Sequence, residues 1–131
     1  MRCFETIAPW QLDQTPNIVK LLPMNKNQFD EHLGAVFKRT TKVLQSKRNE
    51  YANDTDVFQS FKQGIGISYQ KTPEGVGWEY MSKHLESIKQ IIRELDKETP
   101  SLEKVNEKFG DAINYLIIIE GMLKDRIAET K

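Results

Sequence analysis

Apolar residues recur along most of this chain at the spacing of a helix face. Phe29, Leu33, Val36, Phe37, Thr40, Leu44 and Tyr51 keep the i, i+3, i+4, i+7 rhythm, which predicts a helix from about Asn27 to Tyr51 with that stripe buried. Asn27 is a fair N-cap, Asn25 after Met24 is another good start, and Asp30 and Glu31 lie early in the helix, where carboxylates suit the dipole. The polar run Ala52-Asn53-Asp54-Thr55-Asp56 breaks the rhythm, because such side chains bond their own backbone and start turns. A short helix from Val57 to Gln63 follows and ends at Gly64, with Gly64-Ile65-Gly66 as a flexible joint.

Thr72-Pro73-Glu74 is the next start signal, with Thr as N-cap, Pro at the first helical position and Glu in the first turn. Gly75 and Gly77 weaken that turn by about 1 kcal/mol each against alanine. The stripe Met81, Leu85, Ile88, Ile92 and Leu95 carries a third helix to about Asp96. Pro100-Ser101-Leu102-Glu103 opens a fourth, with the stripe Leu102, Val105, Phe109, Ala112, Leu116 and Leu123, running to about Ala128. It is apolar nearly all round between Ala112 and Ile119, which predicts the central position. Residues 1–24 follow no such period. Pro9, Pro16 and Pro23 space Trp10, Ile18, Leu21 and Leu22 in a way that suits an extended strap or a flexible extension. The expected fold is therefore all-α: an antiparallel bundle of three long helices and one short one over 25–131, with an irregular N-terminal extension over 1–24.

Composition narrows the function classes. The chain has 131 residues, enough for one domain with a modest core, and Lys+Arg and Asp+Glu both number 19. A formal net charge of zero argues against sequence-specific nucleic-acid binding and against an acidic nucleic-acid mimic. Lys38, Arg39, Lys42, Lys47 and Arg48 then read as a solvated helix face. Cys3 is the single cysteine, so no internal disulfide forms, which suits a reducing cytoplasm. The absence of an 18-residue apolar run or a signal-peptide pattern agrees with a cytoplasmic protein off the membrane.

Three places carry candidate chemistry. In Glu107-Lys108-Phe109-Gly110-Asp111-Ala112-Ile113-Asn114, Glu107, Asp111 and Asn114 share one helix face beside the most apolar stretch of the chain. A carboxylate there is costly unless paired, hydrogen-bonded or bound to a cation. His84 lies beside the apolar stripe of the third helix, one turn after Tyr80. Measured from Glu98, at the centre of the connection, His84 is 14 residues back and Asp111 is 13 residues on. In an antiparallel pair rising about 1.5 Å per residue, the two come level and can meet. They can hold a cation or form a plain His–Asp contact. The third place, Lys47-Arg48-Asn49-Glu50-Tyr51 with Asp54 and Asp56, offers hard oxygens for Mg²⁺ or Mn²⁺ and cations for a phosphate, or else a solvated helix end. No phosphate-cradling glycine loop, GxSxG, CxxC or HExxH occurs.

The run Glu107-Lys-Phe-Gly-Asp111-Ala-Ile-Asn-Tyr-Leu resembles the second metal motif of the MazG-like all-α nucleotide pyrophosphohydrolases, in which Glu-Glu-x-Gly-Asp opens an apolar helix. The Lys47-x-x-Glu50-Tyr51 segment, Phe58, Phe61 and Lys83-His84-Leu85 resemble small phage proteins of that group. The resemblance spans about 27–128. It implies Glu107 and Asp111 as Mg²⁺ ligands. Where the family has a Glu-x-x-Glu motif, this chain reads Lys83-His84-Leu85-Glu86, and Lys108 stands for the second Glu of the later motif.

The first implied reading is a metal-dependent hydrolase of nucleoside triphosphates. Glu107, Asp111, Glu86 and His84 would lie around the metal, and Glu50 or Asp54 would orient water. Lys47, Arg48 and Lys83 would meet phosphates, with Trp78 or Tyr80 stacking on the base. The thinned carboxylate set opens a second reading, a phage anti-defence module of the anti-CRISPR type. Such a module would block a host nuclease in the host cytoplasm and use a structural metal such as Zn²⁺ on His84 and Asp111. A homo-oligomer is compatible with both. A third reading has no metal, the polar groups fixing helix register alone.

Overall fold

The computed structural model describes residues 22–51 and 56–130. Among them it forms four α-helices and no strand, an all-α bundle. Helix α1 (Lys26–Tyr51) starts one residue before its expected range, and Asn25, not Asn27, caps it. The Gln28 N–H donates to Asn25 Oδ1 and the Asn25 N–H donates to Gln28 Oε1, both at 2.9 Å, a reciprocal box that satisfies two orphan donors. Helix α2 (Gln59–Gly64) runs directly into a single 3₁₀ turn at Ile65–Ile67, where a joint was expected. Helix α3 (Pro73–Arg93) has the expected cap, the Gly75 N–H donating to Thr72 Oγ1 at 3.0 Å with Pro73 opening the first turn. It ends at Arg93, and residues 94–97 form a turn. Helix α4 (Leu102–Glu129) is capped by Ser101, whose Oγ accepts from the Lys104 N–H at 3.1 Å. The proposed strap over residues 1–21 lies outside the described residues. Among the described residues, no helix is long and apolar enough to cross a membrane.

Helices α3 and α4 pack side by side over most of their length, α2 lies on α3, and α1 rests on α4. The buried apolar side chains are Val76, Met81 and Ile91 of α3 and Ala112 and Met122 of α4. Gly77 explains its own place in a helix: a Cβ there would lie 3.0 Å from Ile119 Cγ1 and 3.3 Å from Met122 Cε. The glycine lets α4 approach closely, which offsets its weak helix propensity. Gly64 does the same for α2, since a Cβ would come within 2.8 Å of Val76 Cγ1.

The expected stripes are only partly buried. Phe29, Leu33 and Phe37 of α1, Leu85, Ile92 and Leu95 on and after α3, and Phe109, Leu116 and Leu123 of α4 all remain exposed. Among the described residues α1 and α2 each pack mainly on one neighbour and α3 and α4 on two, so the margins of the apolar faces stay open. Helix α4 is central by its neighbours, α3 and α1, but its own core is small: Gly110, Ala112 and Met122.

At one end of the pair, Arg126 clamps Glu74 with two parallel bonds, Nε to Oε2 at 2.8 Å and Nη2 to Oε1 at 2.7 Å. The bidentate guanidinium holds the Glu74 carboxyl below its ordinary value of 4.5. Before α2, Asp56 Oδ1 accepts from the Phe58 N–H and Oδ2 pairs with Lys62 at 2.8 Å, which lowers the Asp56 pKa through Lys62 first and the backbone second.

Two outcomes follow from this packing. Met81→Ala should cost about 2–5 kcal/mol in urea unfolding, whereas Leu116→Ala, at a half-exposed position, should cost under about 1 kcal/mol. Equal losses at both positions would place the core elsewhere. Because the folded Glu74 pKa is depressed, the clamp stabilises above about pH 4.5 and is lost as pH falls through the lowered value. The melting temperature of Glu74→Gln should therefore lie below that of the native protein at pH 7, and the gap should close in acid. A gap that stays constant down to pH 3 would show that the charge is not what the clamp uses.

Candidate functional site

The antiparallel register brings His84 of α3 level with Asp111 of α4. Nδ1 and Oδ2 stand 3.5 Å apart, longer than an ordinary hydrogen bond. The Asp111 side chain keeps 40% of its surface, so the pair opens to solvent. Tyr115, one turn after Asp111, stacks on the imidazole with ring centroids 5.6 Å apart and planes 26° apart. Tyr80, one turn before His84, meets Tyr115 edge-on at 6.3 Å. Phe61 of α2 closes the group at 6.1 Å from Tyr80 and 6.5 Å from Tyr115. Tyr115 lies against the face of the imidazole and is itself packed by Tyr80 and Phe61. A cation held by both residues would take the Nδ1 lone pair, with the imidazole proton on Nε2.

Asn114, three residues past Asp111, has a buried Oδ1 that accepts no hydrogen bond among the described residues, and the buried Thr40 Oγ1 of α1 is likewise unpartnered there. A buried acceptor without a donor calls for a cation, a water or a ligand group. Arg39 of α1 anchors that helix to the segment preceding Asp111. Its Nη1 donates to Asn106 Oδ1 at 3.3 Å, and its guanidinium lies 3.5 Å from where a Gly110 Cβ would be.

The remaining candidates disperse. Glu107 shares the face of Asp111 but is 63% exposed, with Lys108 Nζ 4.0 Å away. Glu86 is exposed and stands about 200° round α3 from His84 at 100° per residue. Lys83 is exposed beside His84, and Trp78, also exposed, lies six residues before it, on another face of α3. Lys47 and Arg48 are exposed near the end of α1. The Glu50 side chain and Asp54 lie outside the described residues, and Asp56 is engaged with Lys62 and the Phe58 backbone. Among the described residues no three His, Cys, Asp or Glu side chains gather as a metal-binding group. Sequence reasoning found the His84–Asp111 meeting and the place of Tyr80 but missed Tyr115, Arg39 and Arg126. Tyr115 was legible as the residue one turn past Asp111. Arg39 and Arg126 had no local signal, since their partners are 67 and 52 residues away.

No family model matches the chain, and no curated protein or solved structure matches it.

Proposed function

We propose that this protein binds a divalent cation at His84 and Asp111 and there cleaves a nucleoside triphosphate to the monophosphate and pyrophosphate, in the manner of the MazG-like enzymes its motifs resemble. The observation that carries the reading is the 3.5 Å meeting of His84 and Asp111, where the two motif-bearing helices come level. The donors suit the ion. Mg²⁺ and Mn²⁺ commonly take one or two carboxylates and complete their shells with water and substrate phosphates, so a short protein set is no obstacle. An imidazole in the set also suits Zn²⁺. The Asn114 acceptor in the turn after Asp111 is a further polar group for the site. When bound, the ion supplies charge neutralisation for the phosphates and an acidified water.

The chain's own residues set the rest. Tyr115, backed by Tyr80, stacks on His84, Asp111 contributes the negative charge that draws the cation, and Lys83 offers an ammonium beside the pair for a phosphate. Glu107, one turn before Asp111, is long enough and free enough of burial to swing toward a bound ion. A second reading is favoured by one observation, that no third ligand joins the pair among the described residues. In it the chain is a non-catalytic phage anti-defence protein that blocks a host nuclease in the cytoplasm, with the same ion as a structural element.

The two readings separate in solution. A panel of common and modified nucleoside triphosphates with Mg²⁺, Mn²⁺ or Zn²⁺ should yield pyrophosphate from at least one, and Asp111→Asn should abolish release while leaving the melting temperature in chelator unchanged. No turnover, combined with a melting temperature that falls on chelation and recovers with metal, selects the binding module. Indifference to chelator and metal alike removes the cation site from both.

A further inference from the structure

Helices α3 and α4 bring His84 and Asp111 level, but backbone register does not choose the rotation of the imidazole. That last side-chain torsion is broad and roughly two-fold. The 3.5 Å approach of Nδ1 to Asp111 therefore needs a neighbour that selects the ring's orientation. Tyr115 lies on its face, with the centroids 5.6 Å apart. Tyr115 is in turn met edge-on by two rings, Tyr80 of α3 at 6.3 Å and 64° and Phe61 of α2 at 6.5 Å and 89°. Phe61 also meets Tyr80 at 6.1 Å. Edge-on contact is a favoured and directional arrangement of aromatic rings. The orientation of Tyr115 thus follows from its partners.

Phe61 differs from the other rings because it belongs to neither helix of the pair. Helix α2 has six residues, too few to persist in water alone. Contacts at both of its ends seat it. At the start, the Phe58 N–H donates to Asp56 Oδ1, and the Phe58 ring lies 3.1 Å from where a Gly121 Cβ would be on α4. At the end, Gly64 closes on α3, where a Cβ would lie 2.8 Å from Val76 Cγ1 and 3.2 Å from Tyr80 Oη. Phe61 stands three residues from each anchor, so the seating of α2 sets where its ring falls.

We infer that Phe61 is a positioning residue for His84. Acting through Tyr115, it keeps the imidazole turned toward Asp111, and the seating of α2 thereby readies the pair for a cation. The functional consequence rests on the proposed cation site; the positioning itself does not.

The test reads ring-to-ring proximity in the full, metal-free chain by nuclear Overhauser effects. The native protein should show cross-peaks from Phe61 to Tyr115 and from Tyr115 to His84, and the lack of either overturns the proposal. Phe61→Leu, which removes the ring but stays apolar, should weaken the Tyr115–His84 cross-peak at unchanged helicity, and Phe61→Tyr should retain it. Phe61→Met replaces the leucine variant where that one fails to fold. An unchanged cross-peak without the ring makes Phe61 plain packing and overturns the proposal. In calorimetric titration with Zn²⁺ alone, Phe61→Leu should bind about tenfold more weakly than the native chain, the lower end of the loss for residues that orient a metal ligand. Phe61→Tyr should bind as the native chain does. Equal affinity with and without the ring overturns the link between α2 and the cation. A native chain that takes up no Zn²⁺ overturns the cation reading instead, and the cross-peaks still decide the positioning.

Discussion

The close antiparallel packing of α3 on α4 is the constraint from which the other arrangements descend. Gly77 eases it, since a methyl group there would come tight against the Ile119 and Met122 side chains. Once the helices touch there, the register is set along the pair. Tyr80 comes level with Tyr115 and His84 with Asp111. The four residues from Tyr80 to His84 on α3 are matched by the four from Tyr115 back to Asp111 on α4, as two antiparallel helices of common pitch require. Arg126, farther along α4, reaches Glu74 with its long side chain at one end of the pair, and the candidate site lies near the middle of α3.

That alignment also explains the chemical character of the site. Between the clamp and the His84–Asp111 pair, the space is filled by rings: Phe61, Tyr80 and Tyr115. Tyr115 covers one face of His84, while the Asp111 side chain keeps 40% of its surface open. An imidazole held in plane by stacking loses little further freedom when it takes a ligand, which is the preorganisation a small site needs. The same geometry separates the remaining carboxylates. Glu86 points away because two residues along a helix turn by about 200°, and Glu107 is drawn toward solvent near Lys108. The shortage of ligands follows from helix geometry, since Lys83 and His84 hold the places on α3 nearest the pair.

How much of this could be read beforehand depended on the range of the cause. Local causes were legible. The Thr72-Pro73 start and the helical period placed the elements within a few residues, because caps are decided by neighbouring side chains; the expected break over 52–55 lies outside the described residues. The His84–Asp111 meeting was also legible, since a short connection turns residue count into height. Burial was not. Periodicity identifies an apolar face but cannot say how wide a strip a neighbour will cover. Leu116 and Phe37 were expected inside and stand outside for that reason. Gly77 was similarly misjudged as a weakness of the helix, because only the partner helix reveals its purpose. Residues 50, 54 and the first 21 contributed expectations that the described residues do not reach.

The exposed stripe of α1 joins these strands of the argument. Among the described residues the buried apolar side chains are Val76, Met81, Ile91, Ala112 and Met122, none of them on the 26-residue helix α1. Helix α1 is fixed to α4 around Arg39 and Thr40, and its far half would swing about that point unless something else restrained it. Lys47, Arg48 and the end of the helix lie on the opposite side of the same pivot. Their direction relative to His84 and Asp111 is therefore set by whatever restrains the arm.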